Sequence, residues 1–293
     1  MPDSNNSPLV LWAGCVWQRP LLERTEAVPA GRFSCMSLFT GDVSTYVEQH
    51  GSLRSLRHEL DARETSINCI DPYLAWYPGY NPAAASGDAA LHLRASEDDV
   101  LRYVEALGAS YVSIVGPFGG PDAPFDAVVE SLGNFADRAA TIGARPHLEI
   151  VPSTKIPTLA AAIALLRAVN RPNLGLLLDT YNLERAGDDP SELSNVPLEQ
   201  IFAIQLADGH ATPVGGDYFA DGLHHRQAPG KGDLRVADWV NRISAKGPLP
   251  PIGPEIFQDE LNAMESKVAG EYCAHVSRDF LAKLQKSNSE NND

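Results

Sequence analysis

Three observations predict a closed parallel (β/α)8 barrel of the TIM type for this 293-residue chain. Short apolar runs recur eight times, most are followed by a stretch of helical spacing, and no glycine-rich dinucleotide fingerprint follows the first of them. A doubly wound open sheet is the competing architecture, but "WAGCVWQRP" after the first run contains no GxGxxG. With no internal repeat and no long Ser/Gly linker, a single α/β domain is expected over residues 8–286. Residues 1–7 are read as a disordered N-terminal segment and residues 287–293 as a frayed polar tail.

The strand candidates are "PLVLWAGCV" (8–16), "GRFSCMSLF" (31–39), "ETSINCIDPY" (64–73) and "SYVSIVGPF" (110–118) in the first half. "PHLEIVP" (146–152), "NLGLLLDTY" (173–181), "IFAIQLADG" (201–209) and "PIGPEIF" (251–257) follow in the second. Between them lie helix candidates. "SEDDVLRYVEALGA" begins with Ser96 as N-cap, has acids in its first turn, and places Val100, Tyr103, Val104 and Leu107 on one face. "FDAVVESLGNFADRAATIG" has the same character, and so does "TLAAAIALLRAVN", which Asn170, Arg171 and Pro172 close.

A hydrophobic fraction of 44% is enough for a sizeable core. Lys and Arg number 23 against 38 Asp and Glu, a net charge of −15. Nucleic-acid partners and anionic membranes are therefore not expected, because phosphate binding depends on counterion release by basic side chains. Cys15, Cys35, Cys69 and Cys273 are scattered without a CxxC pair, which suits reduced thiols in a cytoplasmic protein. "LVLWAGC" is read as a strand, since the residues before it carry Asp3 and no basic residue, unlike a secretory leader. No apolar run approaches the roughly 20 residues of a membrane span.

Barrel chemistry sits where strands end. The last four strands each carry a polar residue near that end, namely Glu149, Asp179, Gln205 and Glu255. Carboxylate and amide oxygens gathered at one mouth suit a hard divalent cation. Period-two alternation puts His147, Leu177, Ala203 and Gly253 one layer deeper. His147 is accordingly read as a packed histidine behind the site rather than a ligand.

These segments resemble the xylose-isomerase-like TIM barrels called sugar phosphate isomerases/epimerases, which include ketose 3-epimerases, inosose dehydratases and dehydroshikimate dehydratases. "HLEIVP", "LLLDTYNLERAG", "IQLADG", "RQAPGKGDL" and "GPEIFQDEL" carry the resemblance, in the family's order. It implies that Glu149, Asp179, Gln205 and Glu255 hold one Mn2+, Mg2+ or Co2+ ion, and that Arg226 contacts a substrate oxygen. Two positions depart from the epimerases. Gln205 replaces a histidine and matches the dehydroshikimate-dehydratase-like branch. Asn182 stands where a substrate-contacting histidine is usual; it can hydrogen-bond a hydroxyl but cannot shuttle a proton.

Three loops are candidates for choosing the substrate. "DPYLAWYPGYNP" offers Trp76, with Tyr77 and Tyr80, as stacking surfaces. "VGPFGGPDAPF" can bring backbone close to a ligand. The long segment after the seventh strand carries His210, His224 and His225 and is read as a lid, with His210 available as a substrate contact or proton carrier. Arg226 and Lys231 bracket a Pro-Gly turn that could hold an anionic group, and the GKG there lacks the rest of a P-loop. Of Trp12 and Trp17, at least one is expected in the barrel core.

The resulting expectation is a divalent-metal-dependent isomerase or epimerase of a sugar-like or cyclic hydroxy-ketone. It would work through proton transfer by Glu149 and Glu255 and a metal-stabilised enediolate. Dehydration from the same enolate is the alternative, and a non-catalytic ligand-binding barrel the next. A DNA-cutting phosphodiesterase on a related barrel is disfavoured by the acidic charge. The expected partner is a small-molecule substrate, with homodimerisation possible.

Overall fold

The computed structural model describes residues 9–85 and 90–290. Eight strands form one sheet in sequence order, all neighbours parallel: β1 Val10–Leu11, β2 Cys35–Phe39, β3 Ile67–Tyr73, β4 Tyr111–Val115, β5 Arg145–Glu149, β6 Gly175–Asp179, β7 Ile201–Leu206 and β8 Ile252–Pro254. A parallel bridge between Leu9 and Ile252, and the Trp12 N–H donated to the Pro254 carbonyl at 3.3 Å, join first strand to last. Every predicted strand is present, so the chain is a single-domain (β/α)8 TIM barrel.

β1 is much shorter than its apolar run. After Leu11 the chain turns through Ala13–Cys15, where the Ala13 N–H bonds the Ser37 hydroxyl at 2.9 Å instead of a strand partner. Gly253 explains how β1 fits: a Cβ there would lie 1.8 Å from the Val10 carbonyl oxygen, so only glycine lets the two backbones approach. Its small size serves that contact rather than the barrel interior.

The helices begin and end where their caps predict. Ser96 and Asp99 form a reciprocal capping box for Glu97–Leu107. Thr158 caps Leu159–Val169, which Asn170 terminates in the left-handed conformation. Phe125–Thr141 buries Val128, Leu132, Phe135, Ala136 and Ala139 against the sheet. The last helix, Ser266–Glu290, continues through part of the expected tail. Residues 1–7 and 291–293 lie outside the described residues.

Inside the barrel, Val10, Trp12, Cys69, Leu177 and Ala203 make a closed apolar layer. His147 joins it, stacked on Tyr111 with ring centroids 5.3 Å apart and its Nε2 3.3 Å from the Cys69 thiol. Burial depresses its pKa to about 3, so this is a neutral packed ring. That plug closes the barrel from below and leaves the next layer up as the floor of a site.

Candidate active site

β5 ends on Glu149 and β6 on Asp179, while Gln205 is the penultimate residue of β7 and Glu255 directly follows β8. Register puts Asp179 beside Gln205, and Gln205 beside Gly253. Parallel pairing places strand-end side chains at one mouth, and one carboxylate oxygen each from Glu149, Asp179 and Glu255 lie within 4.8 Å of one another. All three are buried, and Gln205 is fully so.

Each carboxylate is held by a different part of the chain. Asp179 is both helix cap and site corner: its Oδ1 accepts the N–H groups of Tyr181 and Asn182 at 2.8 and 3.2 Å, starting the helix Thr180–Ala186. Its Oδ2 accepts from Arg226 Nη1 at 2.7 Å. Glu149 accepts from Asn182 Nδ2 at 2.9 Å and from the Ser113 hydroxyl at 3.4 Å. The Glu255 side chain reaches to 3.8 Å of Arg226 Nη1.

Burial, followed by repulsion from neighbouring carboxylates, pushes Glu149 and Glu255 well above the usual carboxylate range. Asp71, at the mouth end of β3, rises to about 6, chiefly by burial. Arg226 is held above its ordinary value: burial works to lower it, but Asp179 and Glu255 more than offset that. The Gln205 amide has neither its oxygen nor its nitrogen hydrogen-bonded. An orphaned buried amide beside crowded carboxylates fits a divalent cation, which would take the Gln205 oxygen and relieve the repulsion. These four side chains therefore suit the ion implied by the resemblance.

Above the carboxylates opens a cavity of about 700 Å3. Asp71, Glu149, Glu255, Asn182 and Arg226 line its floor, and rings including Trp17, Phe39, Tyr77, Tyr218 and Phe257 line its walls. Tyr218 comes from the predicted lid, whose helix Tyr218–His224 leans over the site. Asp221 anchors that helix, accepting from the Tyr181 hydroxyl, from Arg185 Nη2 at 2.8 Å and from the Val214 N–H at 2.8 Å. Asp208 organises the Pro-Gly turn by accepting from the N–H groups of Gly209, Gly230 and Leu234.

The remaining candidates fall in different places, and Trp76 and His210 are not where the sequence puts them. Trp76 does not line the cavity: it is buried in the core and its indole N–H is donated to the Val115 carbonyl at 2.9 Å. The stacking surfaces from its loop are Tyr77 and Tyr80. His210 is exposed and outside the cavity, with its carbonyl bonded to Arg185. His224 pairs with Asp259 at 2.7 Å, and Lys231 is exposed. Asn182 does line the cavity, but its amide bridges the Tyr218 hydroxyl and Glu149, so it orients a carboxylate. Trp12 is the core tryptophan and Trp17 the cavity one.

Sequence reasoning missed Asp71, Ser113 and His92. Asp71 carries the same strand-end signal as Asp179, and Ser113 shares the inward parity of Glu149 across β4 and β5. His92 lines the cavity from a one-turn helical segment, Ala90–Leu93, its ring tilted against Phe39 with centroids 4.7 Å apart. No periodicity marks such a turn. Burial lowers the His92 pKa and keeps it neutral.

Comparison with known proteins agrees with this architecture. The profile of the xylose isomerase-like TIM barrel matches residues 26–275, and the chain belongs to that family. It is 30% identical over 249 residues to a 3-dehydroshikimate dehydratase of Pseudomonas aeruginosa, covering 84% of this chain but only 38% of that protein. It is 26% identical over 157 residues to an inosose isomerase of Halalkalibacterium halodurans, covering 53% of this chain and 54% of that one. The chain thus spans well under two thirds of these relatives. Among solved structures, an IolI protein with a bound zinc atom superposes with a TM-score of 0.78 at 18% identity, covering 94% of this chain and 99% of that one, a likeness of fold. Among the described residues no helix is long and apolar enough to cross a membrane.

Proposed function

We propose that this chain is a divalent-cation-dependent isomerase or epimerase that moves a proton on the carbon next to a carbonyl of a hydroxy-ketone. The observation that carries the reading is the convergence of Glu149, Asp179 and Glu255 beside an unpartnered Gln205 amide, at the floor of a deep cavity. Glu149, Asp179, Gln205 and Glu255 would hold the cation, which when bound supplies Lewis acidity to the substrate's carbonyl and hydroxyl oxygens.

Glu149 and Glu255 both line the cavity, so each can reach a substrate carbon. One removes the proton and the other returns it, which inverts a centre or shifts the carbonyl along the chain. Asn182 holds Glu149 in orientation and is itself held by Tyr218. The lid helix and its aromatic side chains border the cavity, and a bound substrate would displace water from the floor and strengthen charge interactions there. Arg226, bound to Asp179, orients a substrate oxygen from the same side.

Dehydration is a second reading, favoured by Gln205 at the third ligand position and by the length of the match to 3-dehydroshikimate dehydratases. Loss of a β-hydroxyl needs a proton donor, and among the cavity's groups a protonated Asp71 suits that role. A screen of ketoses, inososes and cyclic hydroxy-ketones with added Mn2+, Mg2+ or Co2+, followed by NMR in deuterated water, tests both. Isomerisation gives deuterated starting material and an isomer that differs in mass only by exchange, whereas dehydration gives a product lighter by one water. Absence of cation-dependent exchange or product across the screen would count against the proposal.

A further inference from the structure

The cavity has more room, and a different lining, than proton transfer on a small hydroxy-ketone uses. At about 700 Å3 it lies well inside the roughly 300–1,000 Å3 of pockets that bury a drug-sized ligand. Its charged side chains, Asp71, Glu149, Glu255 and Arg226, all stand at the floor. Arg226 is the cationic residue among them, and it is already bound to Asp179. Among the described side chains that line the cavity, a phosphate or carboxylate placed away from Arg226 would meet no cation and would face the carboxylates of Asp71, Glu149 and Glu255.

Much of the rest of the lining is aromatic, and four of its rings meet in two pairs. Phe39 and Phe257 stack with centroids 6.4 Å apart and 19° between planes. Across the mouth, Phe118 from the loop after β4 meets Phe219 from the lid helix at 5.6 Å. These last two are 37% and 44% exposed, although each has the other as neighbour. Exposed phenylalanines that meet from separate loops at a cavity rim form an apolar surface left open to a ligand.

Resting on the proton-transfer reading for the reacting end, we propose that the substrate carries a neutral, flat apolar substituent. Its hydroxy-ketone lies on Glu149 and Glu255, and an aryl-like group lies between the Phe39–Phe257 and Phe118–Phe219 pairs. The substituent supplies binding energy remote from the reacting carbon, which holds the head group in place.

The test uses the cation-loaded full chain and three probes: hydroxyacetone, phenacyl alcohol (in which phenyl replaces the methyl group) and dihydroxyacetone phosphate. Calorimetry gives affinity, and NMR in deuterated water gives exchange of the hydrogens beside the carbonyl. Burial of the phenyl ring predicts that phenacyl alcohol binds about tenfold or more tighter than hydroxyacetone. In a Phe118→Ala/Phe219→Ala variant that preference should fall towards one, with folding checked by circular dichroism. Equal affinities, tightest binding of the phosphate probe, or binding of none of the three overturns the proposal. Exchange on hydroxyacetone without aryl preference refutes this inference alone. Tight phenacyl alcohol binding without exchange refutes the proton-transfer reading alone.

Discussion

Arg226 Nη1 lies 2.7 Å from Asp179 Oδ2, and both side chains are buried. Asp179 meanwhile caps a helix through its other oxygen, so one carboxylate ties strand end, helix start and lid-side arginine together. The guanidinium also lies over the Tyr181 and Phe257 rings, 4.5 and 4.9 Å from their centroids. It is the positive charge set against Asp71, Glu149, Asp179 and Glu255, and a divalent cation would bring that floor nearer to balance.

Replacing Arg226 should therefore destabilise the protein as well as impair it. Arg226→Ala strands Asp179 as an unpaired buried carboxylate, a loss of about 3–5 kcal/mol for the cation-free protein. For a chain of this size that is a fall in Tm on the order of 10 °C. Saturating Mn2+ should recover part of it, because the ion takes over the pairing. Thermal melts with and without the ion check this, and an unchanged Tm for the cation-free variant would mean the ion pair contributes little.

The stabilisation conferred by the cation should grow with pH. In the cation-free protein Glu149 and Glu255 keep their protons above the usual range, whereas in the unfolded chain they ionise near about 4.3. Between those limits the folded state binds more protons, so its stability falls as pH rises. A bound cation removes that loss by taking the protons' place. The Tm difference between cation-loaded and chelated protein should widen from about pH 5 to 8. A flat or shrinking difference would place the ion elsewhere.

Gln205 should separate binding from stability. Gln205→Leu removes a buried amide with no partner, whose desolvation costs about 1–3 kcal/mol. The cation-free variant should melt no lower than the parent. Its affinity for Mn2+ should drop at least the roughly tenfold that loss of an outer-shell partner costs. Titration calorimetry and melts read both quantities, and unchanged affinity would remove Gln205 from the ligand set.

The barrel was legible because its strands are apolar runs of the right length and its helices carry recognisable caps, as Ser96 and Thr158 show. Glu149, Asp179, Gln205 and Glu255 were legible for a related reason: a polar residue ending a buried strand has one place to go, the mouth. Loops carry no such rule. Trp76 and Tyr77 are adjacent, yet only Tyr77 lines the cavity, because the Trp76 indole finds a backbone carbonyl in the core. His210 looked available, but the lid turns on Asp221 and leaves it outside. Asp71 escaped notice although the strand candidate 64–73 contains it, because it lies two residues inside the end of β3, where "DPYLAWYPGYNP" reads equally well as the start of a loop.

The most direct test of the two-glutamate account is solvent exchange in Glu149→Gln and Glu255→Gln, with bound metal measured on the same samples by elemental analysis. Both residues line the cavity and both belong to the acidic cluster, so each variant keeps the shape of the site and loses its base. With the substrate identified by the cation-supplemented screen, either variant that retains metal should lose exchange of the hydrogen next to the carbonyl. If both hold metal and exchange that hydrogen at the parent rate, proton transfer by Glu149 and Glu255 is wrong.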